Sequence, residues 1–197
     1  MLVFRSSMSF VFQTAYGVVV LVDRAVWLWR NDYWAHLISD SSISELHEFA
    51  AKLGLYRISF QGDHYDVSSE TRSRALQIGA EEVESRELVR RLRASGLRLS
   101  SHQRPKRWER VNTWFSEGAL PDLSKSISGP LLEAFNGCVK ADWSKATIIV
   151  YKRIGEVAII VDDVKGPTVI GDLPEEVECH CTNRQVLELL GFGESLC

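Results

Sequence analysis

The stretch Gly17–Val22 reads GVVVLV and ends on Asp23. A short apolar run of β-branched residues closed by a polar residue is typical of a buried strand in a sheet that is covered on both faces. From this run to residue 97 the pattern continues as β, β, α, β, α, β, α. Such alternation predicts an α/β unit, a small parallel or mixed sheet with covering helices.

The helices of this unit begin at cap residues and end near glycines, as helices commonly do. We expect helices over Ile43–Leu53 behind Asp40-Ser-Ser, from Ser68 or Ser69 to about Ile78, and over Arg86–Ala94 behind Ser85; we expect strands at Tyr56–Phe60 and Glu82–Glu84.

The second half of the chain has a different texture. Residues 98–112 lack apolar periodicity and contain Arg104-Pro-Lys-Arg, which indicates a basic linker between a domain over 1–97 and a domain over 113–197. The last segment predicts a smaller α+β unit with a β-meander. Its expected elements are a helix at Pro130–Phe135, a hairpin of Thr147–Tyr151 and Glu156–Val161, strands at Thr168–Ile170 and Val177–Cys181, and a final helix at Asn183–Leu190.

The composition is that of a folded globular protein. Hydrophobic residues make up 45% of the 197 residues and charged residues 25%, so a core can form and disorder is not expected. The apolar run Tyr16–Val22 is too short to span a bilayer, and Met8 is as plausible a start as Met1. Four cysteines without a secretory signal indicate reduced thiols and a cytoplasmic protein with no membrane partner.

Positive charge is concentrated between Arg86 and Arg110, where nine cationic residues face two acidic ones although the whole chain has a net charge of −3. Such a run is often a solvated helix face followed by a charged linker. It can also bind phosphates or an acidic protein surface, and then Arg86 and Arg90 are the candidate phosphate contacts.

The most polar short segment is Phe60–Asp66 (FQGDHYD). It follows a predicted strand, so we expect it at the sheet edge where Asp23 also emerges, outside the carboxyl ends of strands, where ligands of open sheets bind. Asp23 and Asp63 are candidate bases or metal ligands and His64 the acid–base group. The candidate substrate contacts are Gln61, Gly62 and Tyr65, with Gly62 allowing close approach of the backbone. Turn and cap roles for the carboxylates are the alternative.

Histidines and carboxylates recur upstream of this segment. His36 and Asp40 flank a short apolar strand, and His47 follows on the next helix. With Asp23 or Asp63 they can form a mixed His/carboxylate site for Zn, Mn or Fe. We assign Asp23, His36, Asp63 and Asp66 as the candidate metal ligands; helix capping by Asp40 and a structural hydrogen bond of His47 are the alternative.

Two other clusters have structural and functional interpretations. Trp27, Trp29, Tyr33 and Trp34 either stack on bases of a nucleotide or a single strand or pack a core edge. Cys179-His-Cys181 has two thiols on one face of a strand but lacks the second cysteine pair of a zinc knuckle.

Residues from about 18 to 97 resemble the bacterial and phage family known as domain of unknown function 4031. The resemblance rests on VVLVDRAVWLWR, WAHLISD, ELHEFAAKLGL, FQGDHYDV and GAEEVESRELVRRLRASGLR. The family implies no activity. It implies a recurring set of residues, namely Asp23, His36, Asp40, His47, Gln61, Asp63, His64, Tyr65 and Asp66. Arg24 stands where the family usually has a second aspartate, which argues against a paired-aspartate mechanism.

These features indicate two functions. One is a metal-assisted hydrolase acting on the phosphate of a nucleotide or nucleic acid, with a divalent metal ion as cofactor. The other is a non-catalytic module that binds a nucleotide, a nucleic acid or a protein through the same pocket and the Arg-rich strip. Residues 113–197 are the expected surface for a homo-oligomer.

Overall fold

A computed structural model describes residues 19–182 and 185–192, which form four α-helices and twelve strands. The helices are α1 (Ile43–Lys52), α2 (Ser69–Gln77), α3 (Ser85–Ala94) and α4 (Gly129–Cys138). The strands are β1 (Val20–Val22), β2 (Trp27–Trp29), β3 (Asp32–Ser39), β4 (Tyr65–Ser68), β5 (Glu81–Glu82), β6 (Glu109–Phe115), β7 (Val139–Lys140), β8 (Thr147–Arg153), β9 (Glu156–Asp162), β10 (Thr168–Val169), β11 (Val177–Thr182) and β12 (Val186–Phe192). The chain is therefore mixed α/β, with a β-meander in its second half, as the sequence predicts.

The first sheet contains β1 to β5 and is mixed. The long strand β3 pairs antiparallel with β1 and β2 along one edge and with β4 along the other, while β5 pairs parallel with β1. Because successive side chains of a strand point to opposite faces, β3 divides its residues between two surfaces. Ala35 and Leu37 face one core, and Ile38 faces another.

The two faces of this sheet are covered unequally. Helices α1 and α2 pack on the face that contains Leu37 and Val67. Helix α3 packs Leu88 and Leu92 against Leu21 and Ile38 on the other face, and this leaves the remainder of that face, beyond Ile38, for polar side chains.

Cap chemistry sets the ends of α1 and α2 as expected. The Ser42 and Ser68 side chains accept hydrogen bonds from Glu45 N and Thr71 N, respectively. Helix α3 differs, because its N-cap residue is Glu84, which makes no side-chain cap hydrogen bond. The hydroxyl of Ser85 donates to the carboxylate of Asp23 instead.

The predicted strand at Tyr56–Phe60 is wrong. Residues Arg57–Ser59 form a 3-10 turn, closed by Ser59 N to Tyr56 O at 3.0 Å. The amides that a strand would offer to a sheet, Arg57 N and Ile58 N, instead donate to the buried carboxylate of Glu188 at 2.7 and 3.2 Å. Glu188 lies on β12, so a contact across 130 residues or more decides this local conformation.

The second sheet has the order β11-β12-β9-β8-β6 and is antiparallel throughout. The expected β8–β9 hairpin is present, and α4 packs on the sheet through Leu131 and Phe135. Strand β6 begins at Glu109, inside the segment predicted as linker.

The predicted helix at Asn183–Leu190 is also wrong in its described part. Residues Val186–Phe192 form β12, which pairs with β9 on one side and β11 on the other. An apolar run such as VLELL fits a buried strand and a buried helix equally by periodicity, and the flanking strands decide it here.

None of the helices in residues 19–182 and 185–192 combines the length and the apolar character that crossing a bilayer requires.

Candidate functional site

Three polar residues meet at one level of the first sheet. Strand β1 ends at Val22, which pairs with Leu37, and β4 begins at Tyr65, which pairs with Leu37 from the other edge of β3. One step further along β3, His36 lies opposite Asp66, and Asp23 N donates to His36 O at 3.2 Å. The three residues come together because β1 ends where β4 begins.

This arrangement differs in its cause from the one expected. The segment Gln61–Asp66 does not follow a strand. Residues 61–64 form a tight turn that leads into β4, bounded by the bridge between Phe60 and Tyr65, with Gln61 N donating to His64 O at 2.8 Å. Alternation along β4 directs Tyr65 and Val67 into the core, so His64 and Asp66 share the opposite face with His36.

His36 is held by a buried carboxylate. The Asp23 side chain, 3% exposed, accepts from His36 N at 2.7 Å and lies 3.0 Å from His36 Nδ1. The hydroxyl of Ser85 donates to the same carboxylate at 2.8 Å. The ring of Trp27 packs against His36 with centroids 4.6 Å apart and the ring planes tilted by 39°. The imidazole is therefore fixed in orientation, with Nδ1 engaged.

His64 is held in the same way by Asp63. Its Nδ1 lies 2.5 Å from Asp63 Oδ1. The other oxygen of Asp63, Oδ2, accepts from Leu99 N at 3.0 Å and from Arg98 Nη1 at 3.2 Å. Asp63 is completely buried. Both imidazoles thus use Nδ1 for a buried carboxylate and keep Nε2 for a ligand.

Asp66 lies beside both imidazoles, opposite His36 in the strand register and within reach of His64 Nε2. His36, His64 and Asp66 can each offer one ligand atom such that all three atoms lie within 4.8 Å of one another. His64 Nε2 is 3.4 Å from Asp66 Oδ1, and the two imidazole centroids are 5.4 Å apart. We call these three residues the His36–His64–Asp66 cluster. Among the described residues it is the one grouping with metal-ligand spacing.

The charges of the cluster are tuned by its partners. Burial disfavours a charged His64, but hydrogen bonds to Asp63 and Asp66 outweigh burial and raise the pKa of the imidazole above its usual 6.5. Burial likewise disfavours ionised Asp63 and Asp23, yet hydrogen bonds, chiefly from His64 and His36, lower the pKa of each carboxyl below its usual 3.8. Both carboxylates are therefore ionised at neutral pH.

Two cavities open onto the cluster. The inner one, about 250 Å³, is lined by Asp23, His36, His64, Arg98 and Arg104, with an apolar wall from α3. The outer one is a cleft of about 540 Å³ that Asp66 reaches, and Phe60 and Gln61 lie in its wall. We call the outer cavity the tryptophan cleft, because Trp27, Trp29, Trp34 and Trp108 line it.

Cations surround both cavities. Arg30, Lys106, Arg107 and Arg153 line the tryptophan cleft. In the inner cavity Arg98 pairs with Asp63, whereas the buried Nε of Arg104 has no hydrogen-bond partner within the described residues. The segment predicted as a linker thus forms a wall of the site. Its residue Pro105 packs so closely on the backbone of Gly62 that a Cβ added at Gly62 would lie 2.6 Å from Pro105 Cδ.

The structure places the other predicted site residues away from the cluster. The buried Tyr65 directs its hydroxyl to His47 Nδ1, 2.8 Å away on the core side. The space beside Gly62 is filled by Pro105 and Leu99. Arg86 and Arg90 are exposed on α3, and Arg90 pairs with Glu87; neither lines the inner cavity or the cleft.

Two further predicted groups have separate positions. Asp40 binds Arg91, with 2.6 Å from Arg91 Nε to Asp40 Oδ2. Cys179 and Cys181 lie on β11, where burial raises the pKa of the Cys179 thiol to about 12. Neither group takes part in the His36–His64–Asp66 cluster.

Five residues of the site were not predicted as site residues from the sequence, and all of them lie in segments far along the chain from His36 and His64. They are Ser85, Arg98, Arg104, Trp108 and Arg153. The excess of cations between residues 86 and 110 contained the signal for two of them, but nothing local distinguished Arg98 and Arg104 from Arg86 and Arg90.

Residues 20–95 match the model of a family described as "Protein of unknown function (DUF4031)". The match confirms the resemblance for the segment that contributes Asp23, His36, His64 and Asp66. No curated protein and no solved structure matches the chain.

Proposed function

We propose that this protein is a hydrolase that uses a divalent metal ion to cleave a phosphoester bond in a nucleotide or a nucleic acid. The observation that supports it most is the His36–His64–Asp66 cluster, in which two imidazoles are oriented by buried carboxylates toward a third ligand. Carboxylate–histidine–metal arrangements of this kind orient the ligands of metal sites and raise their basicity.

The three side chains would be the metal ligands. Asp23 and Asp63 would act one step behind them, positioning His36 and His64, rather than binding the ion. Two imidazoles and one carboxylate suit Zn, Mn or Fe. Three protein ligands leave positions open for a water and a substrate oxygen, which is the arrangement of catalytic rather than structural zinc sites.

The chemistry follows from that open position. A bound divalent ion lowers the pKa of its water and stabilises charge on a phosphoryl oxygen. The water oxygen would attack phosphorus, the bond from phosphorus to the leaving alcohol oxygen would break, and that oxygen would take up the proton that the water loses. Arg104, which lines the inner cavity, is the candidate contact for a phosphate oxygen.

Two histidines and one carboxylate also hold iron in oxygenases. The walls of this site favour phosphate instead, since six cations line the two cavities: Arg30, Arg98, Arg104, Lys106, Arg107 and Arg153.

The test is hydrolysis of bis(p-nitrophenyl) phosphate and p-nitrophenyl phosphate by protein that has been stripped with EDTA and reloaded with Mn²⁺, Zn²⁺ or Fe²⁺. We expect turnover only with metal, and loss of about 100-fold or more in kcat for Asp66→Ala. Asp172→Ala, which removes an exposed carboxylate outside both cavities, is the matched control. The proposal would be overturned if none of the three ions supported turnover, or if Asp66→Ala and Asp172→Ala hydrolysed the substrates at equal rates.

The second candidate is a non-catalytic binding module. It is favoured by one observation: the cationic and aromatic lining of the tryptophan cleft does not depend on a metal ion. Binding of a nucleotide or nucleic acid without turnover under every metal condition above would select it.

Three predictions from the sequence remain proposals. They are the division into domains over 1–97 and 113–197, a cytoplasmic location, and a homo-oligomer formed through residues 113–197.

A further inference from the structure

We propose that the substrate is a single-stranded nucleic acid, which lies along the tryptophan cleft with an unpaired base against the β2–β3 hairpin. The inference rests on the proposed function, because it brings a backbone phosphate to the His36–His64–Asp66 cluster. Four observations support it: an aromatic wall, unpaired cations, a basic surface longer than one nucleotide site, and strained backbone at the hairpin tip.

The aromatic wall begins at the cluster and runs outward. Trp27 packs against His36, and Trp34 packs edge-on against Trp29 with centroids 5.1 Å apart. Trp34 Nε1 donates to Trp29 O at 2.9 Å, which fixes the pair. Trp29 is 48% exposed, so part of its ring surface is available to a ligand. Indole faces stack on bases of any sequence.

Trp108, in the segment between the two sheets, adds a further aromatic ring to the lining. The guanidinium of Arg153 lies over this ring, 4.2 Å from its centroid, as that of Arg30 lies over Trp29 at 4.3 Å. Stacked arginine and tryptophan planes are the surfaces on which single-stranded nucleic acids bind.

The cations of the cleft are mostly available to a ligand. Within the described part of the chain, Arg30, Lys106 and Arg107 form no ion pair, and all three are exposed. The chain as a whole has a net charge of −3. Concentration of free cations in one cleft of an acidic protein indicates a polyanionic ligand.

The basic surface continues past the cleft. A neighbouring depression of about 680 Å³ shares Lys106, Arg107 and Arg153 with the cleft and adds Lys152, Ile154 and one acidic residue, Glu109, so that four of its six lining residues are cationic. A mononucleotide would fill only one of these two spaces. A polymer with one phosphate per residue would occupy both the cleft and the depression. Stacking on the tryptophan faces requires that its bases be unpaired, since a duplex shows only base edges in its grooves.

The hairpin tip carries the backbone strain. Arg30 and Asn31 both have positive φ angles, 49° and 63°. A two-residue turn with positive φ at both positions usually contains glycine or asparagine, and arginine is an uncommon residue there. Strained backbone of this kind concentrates at ligand clamps, and here it presents the arginine over Trp29.

The experiment measures binding without catalysis. Two fluorescein-labelled single strands of about twelve nucleotides, oligo(dT) and oligo(U), are titrated with the protein in EDTA, and binding is followed by fluorescence anisotropy. A duplex of equal length is titrated in the same way, and free TMP and UMP are added as competitors. We expect single strands to bind at least about tenfold more tightly than duplex or mononucleotide, with the dT and U arms reporting whether DNA or RNA is preferred. The salt dependence should be linear on a log–log plot.

Charge reversal gives a matched pair of variants. Lys106→Glu with Arg107→Glu should lower the slope of log affinity against log salt by about 1.4, since each phosphate contact on a single strand contributes about 0.7. Arg86→Glu with Arg90→Glu changes the net charge equally, on exposed residues outside the cleft, and should leave the slope nearly unchanged. Trp29→Ala should weaken binding about 5- to 150-fold, the effect of losing one stacked base.

Three results would overturn the inference: no binding at low salt, equal affinity for duplex or for TMP, and equal effects of the two charge-reversal pairs. Because EDTA removes the metal, these results do not depend on the proposed hydrolase activity. Binding of single strands without turnover would contradict the proposed function and leave only the single-strand binding site of this inference standing, whereas turnover of p-nitrophenyl esters without oligomer binding would support the function and overturn the inference.

Discussion

Replacing Asp63 by asparagine separates a positioning carboxylate from a metal ligand. In the wild-type protein Oδ1 lies against His64 Nδ1 and Oδ2 accepts from both Leu99 N and Arg98. An amide cannot satisfy all three donors. If its NH₂ group takes the place of Oδ2, it faces two other donors.

If instead the NH₂ group faces His64, the ring must accept at Nδ1. The proton then moves to Nε2, which is the nitrogen that an ion requires. Either orientation costs metal affinity, and mutation of such outer partners typically lowers metal affinity 10- to 100-fold. The unpaired donors should also cost about 1–3 kcal/mol of unfolding free energy, toward the lower end because Arg98 is 31% exposed on its side chain and solvent screens it.

Calorimetric titration with Zn²⁺ measures this effect, with Asp66→Ala and the wild type as references. We expect Asp63→Asn to bind 10- to 100-fold more weakly than wild type but clearly more tightly than Asp66→Ala. Wild-type affinity would refute the positioning role of Asp63. An affinity as low as that of Asp66→Ala would show that Asp63 is itself a ligand.

The pKa of His64 is raised in the folded protein, so the protonated imidazole should stabilise the metal-free protein below pH 6.5. This stabilisation should be lost as the pH rises through the pKa of His64 in the folded state. Urea unfolding in EDTA should show the loss in wild type and not in His64→Gln. Gly62→Ala places a Cβ 2.6 Å from Pro105 Cδ at a φ of +94°. It should therefore lower the unfolding free energy by more than about 1 kcal/mol and weaken oligonucleotide binding. Wild-type stability together with wild-type binding would contradict the packing of Pro105 against Gly62. Glu188→Ala leaves two partly buried amides, Arg57 N and Ile58 N, without an acceptor. Chemical denaturation should report a loss of about 1–3 kcal/mol in unfolding free energy, and a neutral result would mean that water replaces the carboxylate.

Elements with strong local signals could be predicted from the sequence. The serines at positions 42 and 68 mark the starts of α1 and α2, and the apolar run ending at Val22 marks the strand that leads to Asp23. The segment Phe60–Asp66 is recognisable as the most polar short segment of the chain from its composition alone.

The elements that were mispredicted depend on distant partners. Residues 56–60 have a strand-like pattern, but Glu188 captures their amides, and the last segment is a strand because β9 and β11 flank it. Tertiary context overrides local propensity in both cases. The roles of Asp23 and Asp63 behind the two histidines likewise require the register of β1, β3 and β4, which the sequence does not contain.

The wall of the cleft illustrates the same limit. Residues 98–112 lack apolar periodicity and resemble a linker in sequence, yet Pro105 packs against Gly62 and Trp108 lines the cleft. The choice between the exposed Arg86 and the cavity-lining Arg98 depends on where each residue lies in the fold, since their local sequences are similar in charge.

The most direct test of the metal site is a titration of the EDTA-stripped protein with Co²⁺, followed by visible absorption. We expect ligand-field bands that saturate at one ion per chain, that disappear in His36→Ala, His64→Ala and Asp66→Ala, and that persist in His180→Ala, a histidine outside the cluster. Absence of the bands in the folded wild-type protein, or their persistence in Asp66→Ala, would contradict the proposed metal site.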